Sequence, residues 1–274
     1  HEIKYLDDGD HTKLTYSDFI AFEHWTGFIS GTRMRFINPM EEIGLAQEFY
    51  VNFSNLPEEI INLAEDCVLD VVGAAVTGFR LESACAVRDV VNKHWQNGQS
   101  THWFTGSKAS TMAAGFANSM AASAADIDDG HRMAVGHAGS AVVPAAIAIA
   151  EEVRASPQEI LTAIVLGYET AVRLAIARKP EMNPSTASGR WCGFGVAAVG
   201  AKLRRLTVSQ TIHALLITEQ HSPGLLSAHL HGFGGSHVKE GLAWAVVTGM
   251  VSIDLAMSGF KGYPDTLDHP RLYD

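Results

Sequence analysis

Ser156-Pro157-Gln158-Glu159 opens the stretch Ile160-Leu161-Thr162-Ala163-Ile164-Val165-Leu166-Gly167-Tyr168-Glu169, which continues apolar to Ala177. A serine hydroxyl followed three residues later by a glutamate forms a capping box, and proline suits the first helical position. The spacing predicts a helix from here through Tyr168 to about Ala177. Working outward, Thr207-Val208-Ser209-Gln210 repeats the box and predicts a helix through Leu216. Upstream, Pro57-Glu58-Glu59 places a proline and two acidic residues in a first turn, where they suit the helix dipole. Ile60, Ile61, Leu63, Ala64, Val68, Leu69 and Val72 then hold a 3.6-residue period to near Gly78. Between these helices lie Ala-rich segments, 108–125, 139–153 and 193–204, whose small side chains permit close helix packing. Convincing alternating strands are absent, and Ser100 to Phe104 is the best short candidate. The fold class expected is all-α, one large helical domain.

The composition agrees. The chain has 274 residues, 47% apolar and 18% charged, enough for a sizeable core. Three widely spaced cysteines, Cys67, Cys85 and Cys192, form neither a disulfide framework nor a zinc ribbon, which makes a reducing compartment the default. The cytoplasm is expected, with an organelle such as the mitochondrial matrix left open. The most membrane-like run, Gly241 to Phe260, contains Asp254 and lacks basic flanks, so it reads as a buried helix and no membrane is expected. A net charge of −10 argues against nucleic acid and requires any acid-binding site to be a local basic pocket. Residues 1–43 are polar, acidic and aromatic without a sustained period and read as an extension or arm; residues 44–274 form the helical domain.

The densest chemistry lies in Asp126-Ile-Asp128-Asp129-Gly130-His131-Arg132, then His137-Ala-Gly139-Ser140, ending at Pro144. Charge packed between apolar helices costs desolvation energy unless it is paired, bound to metal or used on a ligand. As a metal site, Asp126, Asp128, Asp129, His131 and His137 are suitable ligands, but the order is neither an EF-hand loop nor HExxH. As structure, Asp126 or Asp128 would cap helix ends. As a metal-free site, a histidine titrating near neutral pH beside a carboxylate serves acid–base chemistry or substrate binding. All three readings stand on the residues alone.

Two further clusters join it. Ser185-Thr-Ala-Ser188-Gly189-Arg190 leads into an Ala-rich helix, where backbone amides and the Arg190 fork can receive a carboxylate; an ordinary capping loop is the plain alternative. The other runs from His221 through His229 and His231 to His237 and Lys239, which stands where a Gly-rich loop meets an apolar helix. A partly buried lysine there can hold a substrate carboxylate or, with a lowered pKa, act as a base; a snorkelling surface lysine is the bland reading.

Taken together, these segments resemble the MmgE/PrpD family of 2-methylcitrate dehydratase, cis-aconitate decarboxylase and iminodisuccinate epimerase. The resemblance is carried by Leu56-Pro57-Glu58-Glu59 through Gly73, by Ala113 to Asn118, and by Asp126 to His131 with His137-Ala-Gly-Ser140 and Pro144. Gly167-Tyr168-Glu169 and Ser236-His-Val-Lys239-Glu through Gly262 extend it over roughly residues 44 to 270. It implies an all-helical domain, a homodimer, no metal or organic cofactor, and acid–base chemistry on small di- or tricarboxylates. It assigns catalytic positions to Asp126 as orienting carboxylate, His137 as proton donor or acceptor, and Lys239 as carboxylate anchor or base. Asp129, His131, Arg132, Ser188, Arg190, His221 and His237 are the expected substrate-binding residues. The chain departs from the family pattern at residue 138, Ala where the motif has Pro, and at Ser185-Thr186-Ala187-Ser188, where several members carry a His followed by Thr.

The expected activity is a cofactor-independent lyase, a dehydratase or decarboxylase. An epimerase of a small dicarboxylate and a catalytically incomplete helical dimer used for binding or assembly are the alternatives. Family chains continue into a lid domain near the position of Asp274. A fragment, a half-enzyme whose second chain supplies the lid, and a relative without catalysis are therefore all expectations here.

Overall fold

The computed structural model describes residues 51–95, 97–179, 181, 184–224 and 236–273. The arm expected at residues 1–43, and His229 and His231, lie outside them. The described residues form a bundle of α1 (Glu58–Gly78), α2 (Glu82–His94), α3 (Thr111–Ser123), α4 (Gly139–Val153), α5 (Pro157–Ala177), α6 (Cys192–Leu203), α7 (Val208–His221) and α8 (Leu242–Met257). The only sheet among them is a two-stranded antiparallel hairpin, β1 (Ser100–Thr101) with β2 (Lys108–Ala109). The chain is all-α, as the cap chemistry predicts.

Both capping boxes form. The Ser156 hydroxyl accepts the Glu159 amide while the Glu159 carboxylate accepts the Ser156 amide, and Thr207 and Gln210 do the same for α7. α7 runs one turn past Leu216, to His221. Pro57 stands at the N-cap of α1 rather than inside its first turn, a one-residue difference typical of helix ends. The best strand candidate, Ser100 to Phe104, contributes only its first two residues, because His102 to Thr105 turn instead.

α4 and α6 form the centre. α6 packs on α5, α4, α7 and α8, and α8 in turn packs on α7 and α3. Small residues set how closely these helices approach. A Cβ on Gly195 would lie 2.6 Å from the carbonyl oxygen of Gly167, so α5 and α6 cross backbone to backbone. Val142 packs against both glycines of this crossing, and Trp191, Phe194, Ile149 and Leu215 are almost wholly buried elsewhere in the core. Each such large apolar side chain contributes about 1.5–3 kcal/mol on burial. Among the described residues one helix, Pro157–Ala177, is long and apolar enough to cross a membrane, yet 67% of its most apolar window is buried among its neighbours. It behaves as a core helix. The C-terminal run singled out in the sequence is also a core helix, α8.

This packing fixes three chain segments beside one another: the loop from α3 to α4, the short 3-10 turn Ser188–Arg190 ahead of α6, and the entry to α8.

Candidate active site

The loop from α3 to α4 begins at Asp126, which holds a left-handed backbone, φ 56°. Side-chain-bearing residues adopt that conformation at some cost. The loop then folds into a tight turn in which His131 and Gly136 pair, with the His131 amide donating to the Gly136 carbonyl at 2.8 Å. The His131 ring is buried and its Nδ1 accepts the Ala134 amide at 3.2 Å. His131, expected on the substrate, braces the turn that delivers His137. Its neighbour Arg132 is exposed.

His137 follows, at the start of α4. Its Nδ1 lies 2.8 Å from the main-chain oxygen of Asp129 and 3.2 Å from that of Asp128. Both are carbonyls and only accept, so Nδ1 carries a proton and donates it. In the neutral ring the lone pair is then on Nε2, which faces Asp126 Oδ1 at 3.6 Å. The buried Asp128 carboxylate lies on the other edge, 3.7 Å from Nδ1, and accepts the Ser140 hydroxyl at 2.5 Å. Burial by itself pulls the imidazole pKa down; Asp128 opposes it most, Lys239 works against the charge, and Glu240 and Asp129 favour it. The balance raises the His137 pKa above its ordinary value. The histidine main chain is pinned as well, since its amide donates to Ser188 Oγ at 3.0 Å and its carbonyl accepts the Cys192 thiol at 3.1 Å.

Lys239 arrives from the entry to α8 and is buried, with its Nζ 2.6 Å from Asp126 Oδ1 and 3.6 Å from Glu240 Oε1. Burial would favour the neutral amine, but Glu240, the hydrogen bond and charge of Asp126, and Asp128 together push its pKa up. Lys239 is an ammonium. Of the two roles open to it in the sequence, anchor or base, this environment favours the anchor. Glu240 itself sits at φ 49° and its carboxylate is stabilised, against burial, by Lys239 and then by Ser188. The Ser188 hydroxyl donates to Glu240 at 2.5 Å and its amide does so at 3.2 Å. Ser188, expected to meet substrate, instead ties the 3-10 turn to both His137 and α8.

Asp129 was also expected on the substrate. Its Oδ1 accepts the Gly139 amide at 3.1 Å and its Oδ2 accepts the Tyr168 hydroxyl at 2.8 Å. Its own amide donates to Asp70 Oδ2 at 2.9 Å. Burial first, then the nearby Asp128 and Asp70 carboxylates, push its pKa up to about 7.

Asp126, Asp128 and His137 each offer a ligand atom, all within 4.8 Å of one another, which is a donor set suited to a divalent ion. The arrangement favours another occupant. The two aspartates flank opposite nitrogens of one ring, the Nδ1 proton is committed to carbonyls, and the Lys239 ammonium already stands on Asp126.

The other expected residues have different partners. Arg190 pairs through Nη2 with Glu219, and its Nη1 donates to the Glu219 carbonyl at 3.1 Å. The second Glu219 oxygen accepts the Tyr273 hydroxyl at 2.5 Å. The fork offered to a substrate carboxylate is thus taken by the protein's own. His221 is exposed and bonds the Ile217 carbonyl of its own helix at 3.0 Å, while the exposed His237 lies 3.5 Å from Glu82. Sequence reasoning weighed Asp128 only as a metal ligand or helix cap, and left Glu240, Tyr168 and Asp70 out of the site. Glu240 adjoins Lys239, and Asp128 lies inside the same acidic run, so adjacency was the available signal.

A family model described as the MmgE/PrpD N-terminal domain matches residues 49–273. No curated protein matches the chain.

Proposed function

The chain belongs to the MmgE/PrpD family through its N-terminal domain, and from that premise we propose that it carries out a cofactor-independent lyase reaction on a small di- or tricarboxylate. The observation that carries this reading is the run of contacts Lys239–Asp126–His137. In the proposed reaction the Lys239 ammonium attracts a substrate carboxylate into an otherwise acidic surface. Asp126 orients both Lys239 and the Nε2 edge of His137. His137 moves the proton, because Nε2 is the ring nitrogen without a main-chain partner in this arrangement.

Dehydration and decarboxylation make related demands on these groups. In dehydration, a base takes the proton from a C–H bond next to a carboxylate, the bond's electron pair forms the alkene, and the hydroxyl departs as water with a proton from an acid. In decarboxylation, a C–C bond breaks, carbon dioxide leaves, and an imidazolium protonates the resulting carbanion. A raised His137 pKa favours the imidazolium and therefore the proton-delivering half of either reaction.

The same reading takes a homodimer as the working form. It also takes closure over the substrate from a part beyond these residues, in the same protein or a second chain. Exposed apolar side chains at Ile127, Met133, Val135 and Val238, beside the site residues in sequence, support such a cover. The test is a panel of small polycarboxylates assayed for alkene formation and carbon dioxide release, with recovered substrate checked for deuterium from heavy water. Alkene or carbon dioxide from one acid is the expected result. Deuterium with inverted stereochemistry and no elimination would instead make the chain an epimerase, and an inert panel with intact ligand binding would make it a binding subunit.

A further inference from the structure

Each oxygen of the Asp129 carboxyl group accepts a donor from a core helix: the Gly139 amide on Oδ1 and the Tyr168 hydroxyl on Oδ2. A Cβ at position 139 would lie 2.2 Å from Asp129 Oδ1 and 2.3 Å from the Tyr168 hydroxyl, so the space is shaped around this one hydrogen bond. Tyr168 is itself buried in the middle of α5, and Gly139 is the first residue of α4. The carboxyl group therefore joins the loop to two core helices, and Asp70 of α1 holds the amide of the same residue. The remaining polar group of Asp129, its carbonyl, is the shorter of the two acceptors of His137 Nδ1–H. Every polar group of this residue is thus spent on placing that carbonyl.

We propose that Asp129 is the positioning residue of the site. Its carboxyl group locks its own carbonyl against α4 and α5, and that carbonyl keeps the His137 proton on Nδ1 and the lone pair on Nε2, toward Asp126. An imidazole free to choose places its proton on either nitrogen, and the hydrogen bond at one nitrogen decides which. Without the lock, the Nδ1 partner loosens and Nε2 is no longer held as the reacting atom. The inference rests on His137 as the proton carrier of the proposed lyase, but the lock itself is a statement about a ring tautomer and is measurable without turnover.

The experiment is magnetic resonance of isotope-labelled histidine ring nitrogens in the full chain, titrated with pH, with the His137 signals identified by their loss in His137→Gln. In the unsubstituted protein the neutral His137 ring is expected to hold its proton on Nδ1 alone. In Asp129→Ala the ring is expected to shift to a mixture of tautomers, and Asp129→Asn, which keeps one accepting oxygen, should restore part of the Nδ1 form. Tyr168→Phe removes a single donor and carries the same test if Asp129→Ala does not fold, with a smaller shift in the same direction. Where turnover is present, Asp129→Ala should lower kcat by about tenfold or more with little change in KM, the scale seen when a group that orients a site residue is lost. A folded Asp129→Ala, or in its absence Tyr168→Phe, with an unaltered His137 tautomer would overturn the proposal. An inactive parent protein whose tautomer still follows Asp129 would refute the lyase reading and uphold this one.

Discussion

Lys239 Nζ lies 2.6 Å from Oδ1 of Asp126, the same oxygen that faces His137 Nε2 at 3.6 Å. One carboxylate oxygen thus lies between a buried ammonium and the titrating edge of an imidazole. Asp126 is partly open, with 44% of its side chain exposed, whereas Lys239 is closed in at 5%. On the proposed reading, a polycarboxylate arriving from the open side would meet Asp126 and compete with it for the Lys239 ammonium.

That geometry separates the two residues experimentally. His137→Ala removes the group proposed to move the proton, and kcat is expected to fall by about 100- to 10,000-fold, the range for loss of a general acid or base. Lys239→Met removes the proposed carboxylate anchor, so the loss should appear in both KM and kcat, with the largest effect on the substrate carrying most carboxylates. Both variants should melt cooperatively, and unchanged turnover in either would remove that residue from the mechanism.

The pH dependence of stability has a definite sign. The folded-state pKa of His137 is raised, so folded protein binds this proton more tightly than unfolded chain. Its contribution to stability is complete below the unfolded value of 6.5 and is lost as pH rises through the folded value. Asp129 acts in the same direction, raised from 3.8 to about 7, so its contribution is complete below 3.8 and is lost as pH climbs to about 7. Denaturant unfolding from weakly acidic to neutral pH should show stability declining from this source. Asp129→Asn, which cannot ionise, should flatten the decline between these limits, and an unaltered slope would show that Asp129 titrates elsewhere.

The helices were legible because their signals are local. A capping box needs only four consecutive residues, and those at Ser156 and Thr207 form as written. The site was legible in part. The family resemblance selected Asp126, His137 and Lys239, which the fold gathers from segments far apart in the chain. Ser188 and Arg190 have internal partners that were not legible, because a sequence displays donors without showing which acceptor claims them. Ser188 is claimed by Glu240, 52 positions away, and Arg190 by Glu219, 29 positions away. The partners of Asp129 were hidden for the same reason, its two oxygens accepting from Gly139 and from Tyr168 of a later helix.

Gly139→Ala tests the space around Asp129 by filling it. The added Cβ would overlap both Asp129 Oδ1 and the Tyr168 hydroxyl, so one of them must move. Overpacking of a tight core typically costs about 1–3 kcal/mol. The variant should therefore unfold at a lower denaturant concentration and also disturb the His137 tautomer as Tyr168→Phe does. A variant as stable as the parent, with the parent tautomer, would mean that the space is looser than these distances require.

Arg190 offers the sharpest contrast between binding and structure. Its side chain is 12% exposed and that of Glu219 is 8% exposed, so the pair is largely desolvated. Glu219 accepts from Arg190 on one oxygen and from Tyr273 on the other, and the Arg190 guanidinium also reaches the Glu219 carbonyl. Removing the arginine leaves a buried carboxylate that keeps the Tyr273 hydroxyl but loses its paired guanidinium. Breaking such a pair from one side costs about 3–5 kcal/mol. Arg190→Met is expected to show this loss in unfolding experiments, whereas KM measured on the folded fraction should stay near that of the parent. Arg190→Met with Glu219→Gln should recover much of the stability, because the stranded charge is then absent. A substrate-binding arginine predicts the opposite pattern, a large rise in KM with little change in stability, and Glu219→Gln would not repair it.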